Sequence, residues 1–292
     1  MKMTTTKHCG RFALPMLLAA MSLVCGCILY CVESKRYCII DLSAGSDAEL
    51  YPVTYMAKPP EGGFNTDEYK TTKLVLRLID PCRFTMGCES EGLASPLREE
   101  TISNQFYCAI FEVTQKQYEL VTGQNPSRLK GSMRPVEMVS WSMAESISFM
   151  GKLRKRTALN FNLPSEKQWE CACRAGTSSC LNNGGDSVAD LVSVARCRDN
   201  QNDGKGGYSH GHAVVGSYEP NAWGLYDMHG NVWEWCADDY MLDPSAPGAK
   251  SYRGGSWTHS VAACKSAHRG YGFPNNRFND IGFRLVVNPD KE

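Results

Sequence analysis

Residues 221–236 read NAWGLYDMHGNVWEWC, and the fold is decided by how this stretch is read. Asn221 follows Pro220, and Gly224 comes three residues later, a turn that feeds an apolar run. Leu225, Tyr226 and Met228 are placed for burial, while Asp227 stays near the surface or caps a backbone group. Gly230 and Asn231 form a second turn signal, since glycine takes positive φ freely and asparagine tolerates the left-handed region. Val232, Trp233, Glu234, Trp235 and Cys236 then hold one acid between two indoles against a buried wall. A buried carboxylate needs a partner. Backbone amides within an Asn-Gly-type turn would satisfy it. So would a hard cation such as calcium, held by Asn231, Glu234 and the carbonyls between them.

The remaining punctuation is helical and β in turn. Residues 72–78 (TTKLVLR without its first Thr, then Leu78) and 106–113 (FYCAIFEV) read as strands. Thr114 with Gln117, and Ser165 with Gln168, are capping boxes that open helices, the first ending at Gly123. Ser142 is placed to cap another helix, with Met143, Ile147, Met150 and Leu153 on one face. The basic run Lys152, Arg154, Lys155, Arg156 sits at its C-terminal end, where the helix dipole favours cations. Residues 178–213 lack periodicity and are rich in Gly, Asn and Asp. Asn200 and Asp203 there form a candidate second cation site, against a plain solvated loop. His210 and His212 read as surface residues rather than ligands.

The stretch 221–236 closely resembles the signature of the formylglycine-generating enzyme family, the sulfatase-modifying factors. FTMG (84–87), PVEMVSW (135–141), LNFNLPSEKQWECACRAGT (159–177), RGGSW (253–257) and NDIGFRLV (279–286) match further blocks in the family's order. The resemblance runs from about Lys73 to Asn288. It implies one α+β domain with the C-type-lectin-like fold, low in regular secondary structure, and it raises the expectation of structural calcium at Asn231 and Glu234. It also implies a reaction: oxidation of a sulfatase cysteine to formylglycine by dioxygen, with copper held by two thiolates. Cu(I) is soft and prefers sulfur.

That thiolate pair has no match in this chain. Counting forward from Trp257, the two positions fall on His259 and Cys264; counting back from residues 265–269, Cys264 matches a non-catalytic position. Ser256 matches the family's active-site serine, and Asp280 stands where the family carries asparagine, which changes the local field. Two functions follow. One is a non-catalytic or accessory domain that binds a protein or peptide through Trp257, Tyr271, Phe273, Asn275, Asn276 and Arg277, residues that combine contact area with hydrogen bonding. The other is a formylglycine-generating oxidase acting on a sulfatase, with His259 and Cys264 as a mixed copper pair beside Ser256.

Composition narrows the setting. The chain has 292 residues and a formal net charge of zero, so nothing favours nucleic acid as a partner. Its 26 Gly and six Trp suit a loop-rich domain better than a helical bundle. Lys2, Lys7 and Arg11 precede an apolar run over residues 12–32, a targeting segment. Residues 24–27 (VCGC) resemble a bacterial lipobox with Cys27 acylated; a signal anchor or a cleaved signal peptide are the alternatives. All three place the folded part outside the cytoplasm, and the first two hold it to the membrane at the cell envelope. Residues 33–72 read as a linker and residues 73–290 as the domain. Of the 14 Cys, Cys82, Cys88, Cys108, Cys171, Cys173, Cys180, Cys197, Cys236 and Cys264 lie in the domain, and in an oxidising compartment some of them pair.

Overall fold

The computed structural model describes residues 35–88, 97–185, 187–200, 211–241 and 243–288. The leader with Cys27, and Asp203 and His210, lie outside the described residues. Among the described residues no helix is long and apolar enough to cross a membrane.

The chain lays down strands β1 (Tyr37–Asp41), β2 (Val53–Met56), β3 (Lys73–Ile79), β4 (Cys82–Met86), β5 (Arg98–Ile102), β6 (Phe106–Ala109) and β7 (Phe161–Asn162). Then come β8 (Ala195–Arg196), β9 (His229–Gly230), β10 (Trp233–Asp239), β11 (Lys250–Arg253), β12 (Arg269–Gly272), β13 (Ile281–Gly282) and β14 (Val286–Val287). A six-stranded sheet has the order β2-β1-β3-β6-β14-β7, and a four-stranded sheet the order β12-β11-β10-β13. β4 pairs with β5, and β8 with β9. Helices and strands mix along the chain, as an α+β domain requires.

Strand alternation builds two cores from one sheet. On β3, Leu74, Leu76 and Leu78 pack on the side that holds Ile40, Phe149 and Phe283. Val75 and Ile79 pack on the other, with Phe106, Phe111 and Trp169. Successive side chains of a strand point to opposite faces, so a strand covered on both sides reads as an apolar run. β1 and β2 belong to this sheet, β1 pairing with β3 from Tyr37↔Arg77 to Asp41↔Lys73. The linker expected over 33–72 is therefore corrected: from Tyr37 onward the segment carries two strands and the helix Asp67–Thr71. The reason is visible in Ile39 and Ile40, which bury on opposite faces of the sheet.

Both capping boxes form. Thr114 caps the helix Gln115–Thr122, which stops at Gly123 in the left-handed region, and Ser165 caps Glu166–Arg174. The helix expected from Ser142 is corrected. Ser140 is the cap, the helix Trp141–Ala144 ends after one turn, and the chain rewinds as a π-helical turn, Ile147–Gly151, before Lys152–Thr157. That break rotates Ile147 out of the shared face to 88% exposure, while Met150 and Leu153 stay fully buried. The basic run is partly consumed by structure: Arg154 bonds the Phe161 carbonyl and Glu145, and Arg156 bonds the Tyr51 hydroxyl and the Ser46 carbonyl. A disulfide joins Cys82 on β4 to Cys171 on the helix Glu166–Arg174.

The four-stranded sheet positions the site. Glu234 on β10 sits opposite Arg253 of β11 on one side and Gly282 of β13 on the other. Three separated sequence blocks, around Glu234, Arg253 and Gly282, thus meet at one rung.

Candidate functional site

Glu234 is the hub of that rung. The Arg284 guanidinium forks onto its carboxylate, Nε to Oε2 and Nη2 to Oε1, both at 2.6 Å. The Trp169 indole donates to Oε2 at 2.7 Å. Arg284 also donates to the carbonyls of Ala109 and Tyr226, so all three of its nitrogens are engaged. Glu234 is 1% exposed and Arg284 fully buried. A buried pair is tolerated only when the geometry is good and the remaining donors are satisfied, as they are here.

Arg253 anchors the next block. It donates to Glu170 and to the carbonyls of Ala267 and His268, and Glu170 in turn accepts from Arg174. The chain then passes through Gly254 and Gly255 at φ +98° and +79°. At Gly255 a Cβ would lie 2.6 Å from the Cys264 sulfur and 2.7 Å from the Ala263 carbonyl oxygen. Only glycine fits this passage, and it delivers Ser256 to its place.

Ser256 enters a compact polar cluster. Ser256 Oγ donates to Asp280 Oδ2 at 2.9 Å, and Thr258 Oγ1 donates to the same oxygen at 2.7 Å. His259 Nδ1 lies 2.7 Å from Ser256 Oγ, 2.8 Å from Thr258 Oγ1 and 3.2 Å from the Trp233 indole nitrogen. Burial lowers the His259 pKa below its ordinary value, with Asp280 opposing that effect. Ser, His and Asp are all present, but not as a nucleophile relay. Such a relay puts the serine on one ring nitrogen and the acid on the other. Here Ser256 and Asp280 both lie on the Nδ1 side, with Asp280 Oδ2 3.6 Å from Nδ1, and Ser256 is fully buried.

Cys264 is not in this cluster. It packs with Leu181, Leu191, Val194, Ala195, Cys197 and Val261, and burial pushes its thiol well above the ordinary range. A copper ligand must be a thiolate. The His259–Cys264 pair therefore does not fit copper: the imidazole faces Asp280 and Trp233, and the thiol is held neutral in an apolar cluster. Among the described residues no three His, Cys, Asp or Glu side chains gather as a metal-binding group.

The side chains expected to hold calcium, Asn231 and Glu234, are engaged otherwise. The Glu234 charge is already neutralised by Arg284. The Asn231 carboxamide is spent, Nδ2 donating to Glu112 at 2.6 Å and Oδ1 accepting from the Ala213 amide at 2.8 Å. Asn231 instead holds a left-handed turn at φ +58°, as its sequence position indicates. Glu112 and Asp227 are two further buried carboxylates, and Arg284 is a positive charge that acts on both. Asp227 Oδ2 accepts from the Gly216 amide at 2.6 Å, while Oδ1 has no protein partner. Burial raises Asp227 to about 6, and burial together with the charges of Asp227 and Glu234 pushes Glu112 well above the carboxylate range. Of Glu112, Asp227 and Glu234, Asp227 is the one with a carboxylate oxygen left unused, the kind of hard donor that a calcium-type cation takes. The sequence signal for them was an acid inside each of two apolar runs, FYCAIFEV and GLYDM. Asn200 is spent on local turns, its Oδ1 accepting from the Cys197 amide at 2.9 Å.

The candidate recognition residues lie on one connection. The end of β12 and the segment that leads from it to β13 expose Tyr271, Phe273 and Phe278 at 38%, 47% and 38%, and Asn275, Asn276 and Arg277 are exposed beside them. The Pro274 carbonyl accepts from the Ser142 amide and the Phe278 carbonyl from the Met138 amide, so the connection is fastened at both shoulders. Tyr271 stacks on Tyr240 with ring centroids 4.5 Å apart and donates to Asp243. Trp257 is half-buried and reaches the Asn279 carbonyl at 3.4 Å, which joins the segment to the Ser256 cluster.

Comparison with known proteins fits this arrangement. The family model of the sulfatase-modifying factor enzyme 1-like domain matches residues 64–289. A chaperone protein LppX of Paenibacillus barcinonensis is 28% identical over 233 residues, covering 63% of this chain and 80% of that protein. A formylglycine-generating enzyme of Streptomyces coelicolor is 33% identical over 181 residues, 53% of each chain. This chain thus spans about half the length of that enzyme. Among solved structures, Treponema denticola variable protein 1 superposes with a TM-score of 0.63 at 26% identity, over 75% of this chain and 96% of that one.

Proposed function

The chain belongs to the sulfatase-modifying factor enzyme 1-like domain family, and from that premise we propose that it is a non-catalytic binding domain displayed outside the cytoplasm. Its ligand in this reading is a protein or peptide. The observation that carries the proposal is the fastened connection between β12 and β13, which holds Tyr271, Phe273 and Phe278 toward solvent with Arg277 among them. Aromatic and arginine side chains on a rigid support are the residues that anchor interfaces, because they bring area and directed polarity at low entropic cost. The half-buried Trp257 and His259 extend the same face.

The position that would do oxidative chemistry is filled otherwise. Ser256 and Thr258 donate to Asp280, His259 lies against Ser256, and the thiol of Cys264 is sequestered. The family membership keeps a formylglycine-generating oxidase acting on a sulfatase as the second reading. The two relatives, a formylglycine-generating enzyme and a chaperone protein, are compatible with one scaffold serving both kinds of role.

We propose further that Asp227 and Glu112 take a structural calcium ion, and that Cys27 is acylated and holds the domain to the membrane at the cell envelope. Peptides selected from a random library on the purified domain test the binding reading. Their affinity is expected to fall at least about tenfold for a Tyr271→Ala, Phe273→Ala, Arg277→Ala triple variant, in line with loss of interface anchors. Equal affinity for the folded variant would refute it. Labelling of the wild-type chain, but not Cys27→Ser, by a fatty-acid probe tests the anchor.

A further inference from the structure

We propose that Cys88 and Cys180 form a second disulfide, parallel to Cys82–Cys171, which locks the base of the Ser256 loop. Their sulfur atoms lie 3.2 Å apart, and both residues are half-buried, within reach of a small oxidant. The partners are 92 positions apart in sequence, so the approach comes from tertiary structure.

Two features hold the pair in register. The first is the Arg174 guanidinium, which is buried and bonds both backbones next to the sulfurs. Its Nη2 donates to the Gly87 carbonyl at 2.7 Å, and its Nη1 donates to the carbonyls of Ser178 and Ser179 at 3.2 and 3.0 Å. The residues preceding each cysteine are thereby fixed by one rigid plane, which Glu170 holds in turn. The second is the existing disulfide Cys82–Cys171. It joins the same two stretches of chain six residues before Cys88 and nine residues before Cys180, so their mutual approach is already largely ordered. Closing a bond between ends held together costs little further chain entropy, and the sulfurs need to move by only about 1 Å to reach bonding distance.

The bond would act on the proposed binding face through Cys180. Its carbonyl accepts from the Ser266 amide at 2.9 Å and from the Ser266 hydroxyl at 3.0 Å. Ser266 belongs to the loop that runs from Ser256 to β12, so the bridge would pin the foot of that loop to β4. The Cys82–Cys171 bond reaches only the helix Glu166–Arg174, which meets this foot through the Cys173 thiol on the Ser266 hydroxyl at 3.5 Å.

The chemistry balances with a disulfide-bearing donor, such as oxidised glutathione or an oxidised dithiol oxidase. A Cys88 thiolate attacks the donor disulfide, forming a mixed disulfide and releasing one donor thiolate. A Cys180 thiolate then attacks the Cys88 sulfur and releases the second donor thiolate. The two cysteines lose two protons and one electron pair, and the donor disulfide is reduced to two thiols.

The test uses the purified full chain equilibrated with oxidised glutathione, alkylated under native conditions and mapped by mass without reduction. The expected result is a cross-linked species joining the Cys88 and Cys180 peptides, lighter by two hydrogens than the two thiol peptides together. In Cys88→Ser, Cys180 is expected as an alkylated thiol or a glutathione adduct, and amide exchange of the segment around Ser266 is expected to quicken. Recovery of Cys88 and Cys180 from the wild type as alkylated thiols or separate glutathione adducts would overturn the proposal. A bond from either residue to another cysteine would overturn it equally. The cross-link and alkylation readouts are covalent, so they decide the matter even where a variant is less stable.

Discussion

Replacing Glu234 by glutamine tests the hub of the site with almost no change of shape. The wild-type carboxylate receives two 2.6 Å bonds from Arg284 and one of 2.7 Å from Trp169, with both charged side chains at most 1% exposed. Glutamine offers one acceptor in place of two and turns an amino group toward guanidinium donors. Arg284 stays charged, since its pKa is far above the accessible range and the fold gives it no other carboxylate bond. Leaving one partner of a buried pair uncompensated costs about 3–5 kcal/mol. In a domain of this size that corresponds to a fall in Tm of roughly 6–20 °C. Guanidinium unfolding followed by tryptophan fluorescence measures the change, because Trp169 reports directly on the pair. The Glu234→Gln, Arg284→Met double variant is expected to recover part of the loss, as it removes the stranded charge. A loss below about 1 kcal/mol for the single variant, the range of an exposed pair, would refute the reasoning.

Three further outcomes follow from the same geometry. Asp227 is raised from 3.8 to about 6, so without a cation the folded state holds its proton longer than the unfolded state does. Its contribution is then neutral below the unfolded pKa, and stability falls by about 3 kcal/mol as pH rises through the window between those values. Chemical unfolding in chelator across pH 4–7 is expected to show this slope, and calcium or Asp227→Asn is expected to reduce it, the raised Glu112 supplying what remains; an unchanged slope would remove Asp227 as a source. Gly255→Ala forces a Cβ against backbone and the Cys264 sulfur at positive φ, and is expected to cost about 2–4 kcal/mol by unfolding, with little recovery in Gly255→Ala, Cys264→Ala because the Ala263 carbonyl remains. Cys264 is expected to resist iodoacetamide in the native chain at pH 8 and to react after unfolding, as mass analysis would show; rapid native alkylation would contradict its burial.

Much of the fold was legible because it is written in local rules. The capping boxes at Thr114 and Ser165 needed only side chains within their own first turn, and both formed. β3 announced itself through alternating branched residues. β1 and β2 did not, since Ile39 and Ile40 are an apolar pair too short to separate a strand from a linker without knowing that β3 lies alongside. The break near Ile147 is hidden for a related reason: four apolar residues at helical spacing do not reveal a π turn that takes one of them out of phase. At the site, the sequence brought out Glu234 and the need for a partner, but not that the partner is Arg284, 50 residues away. Likewise, Glu112 and Asp227 could be seen as acids within apolar runs, yet only tertiary structure buries them, Glu112 on the Asn231 carboxamide and Asp227 on the Gly216 amide. Ser256, His259 and Asp280 were each noticed singly, and their hydrogen-bonded cluster depends on the turn through Gly254 and Gly255.

The central claim is that this domain binds and does not oxidise. Its most direct test incubates the purified chain, supplied with Cu(I), calcium and dioxygen, with a peptide carrying the sulfatase cysteine motif. Mass spectrometry then follows loss of the thiol and gain of the aldehyde. The account predicts unchanged peptide while the chain remains folded by circular dichroism. Catalytic conversion to the aldehyde, abolished in Cys264→Ala, would contradict it.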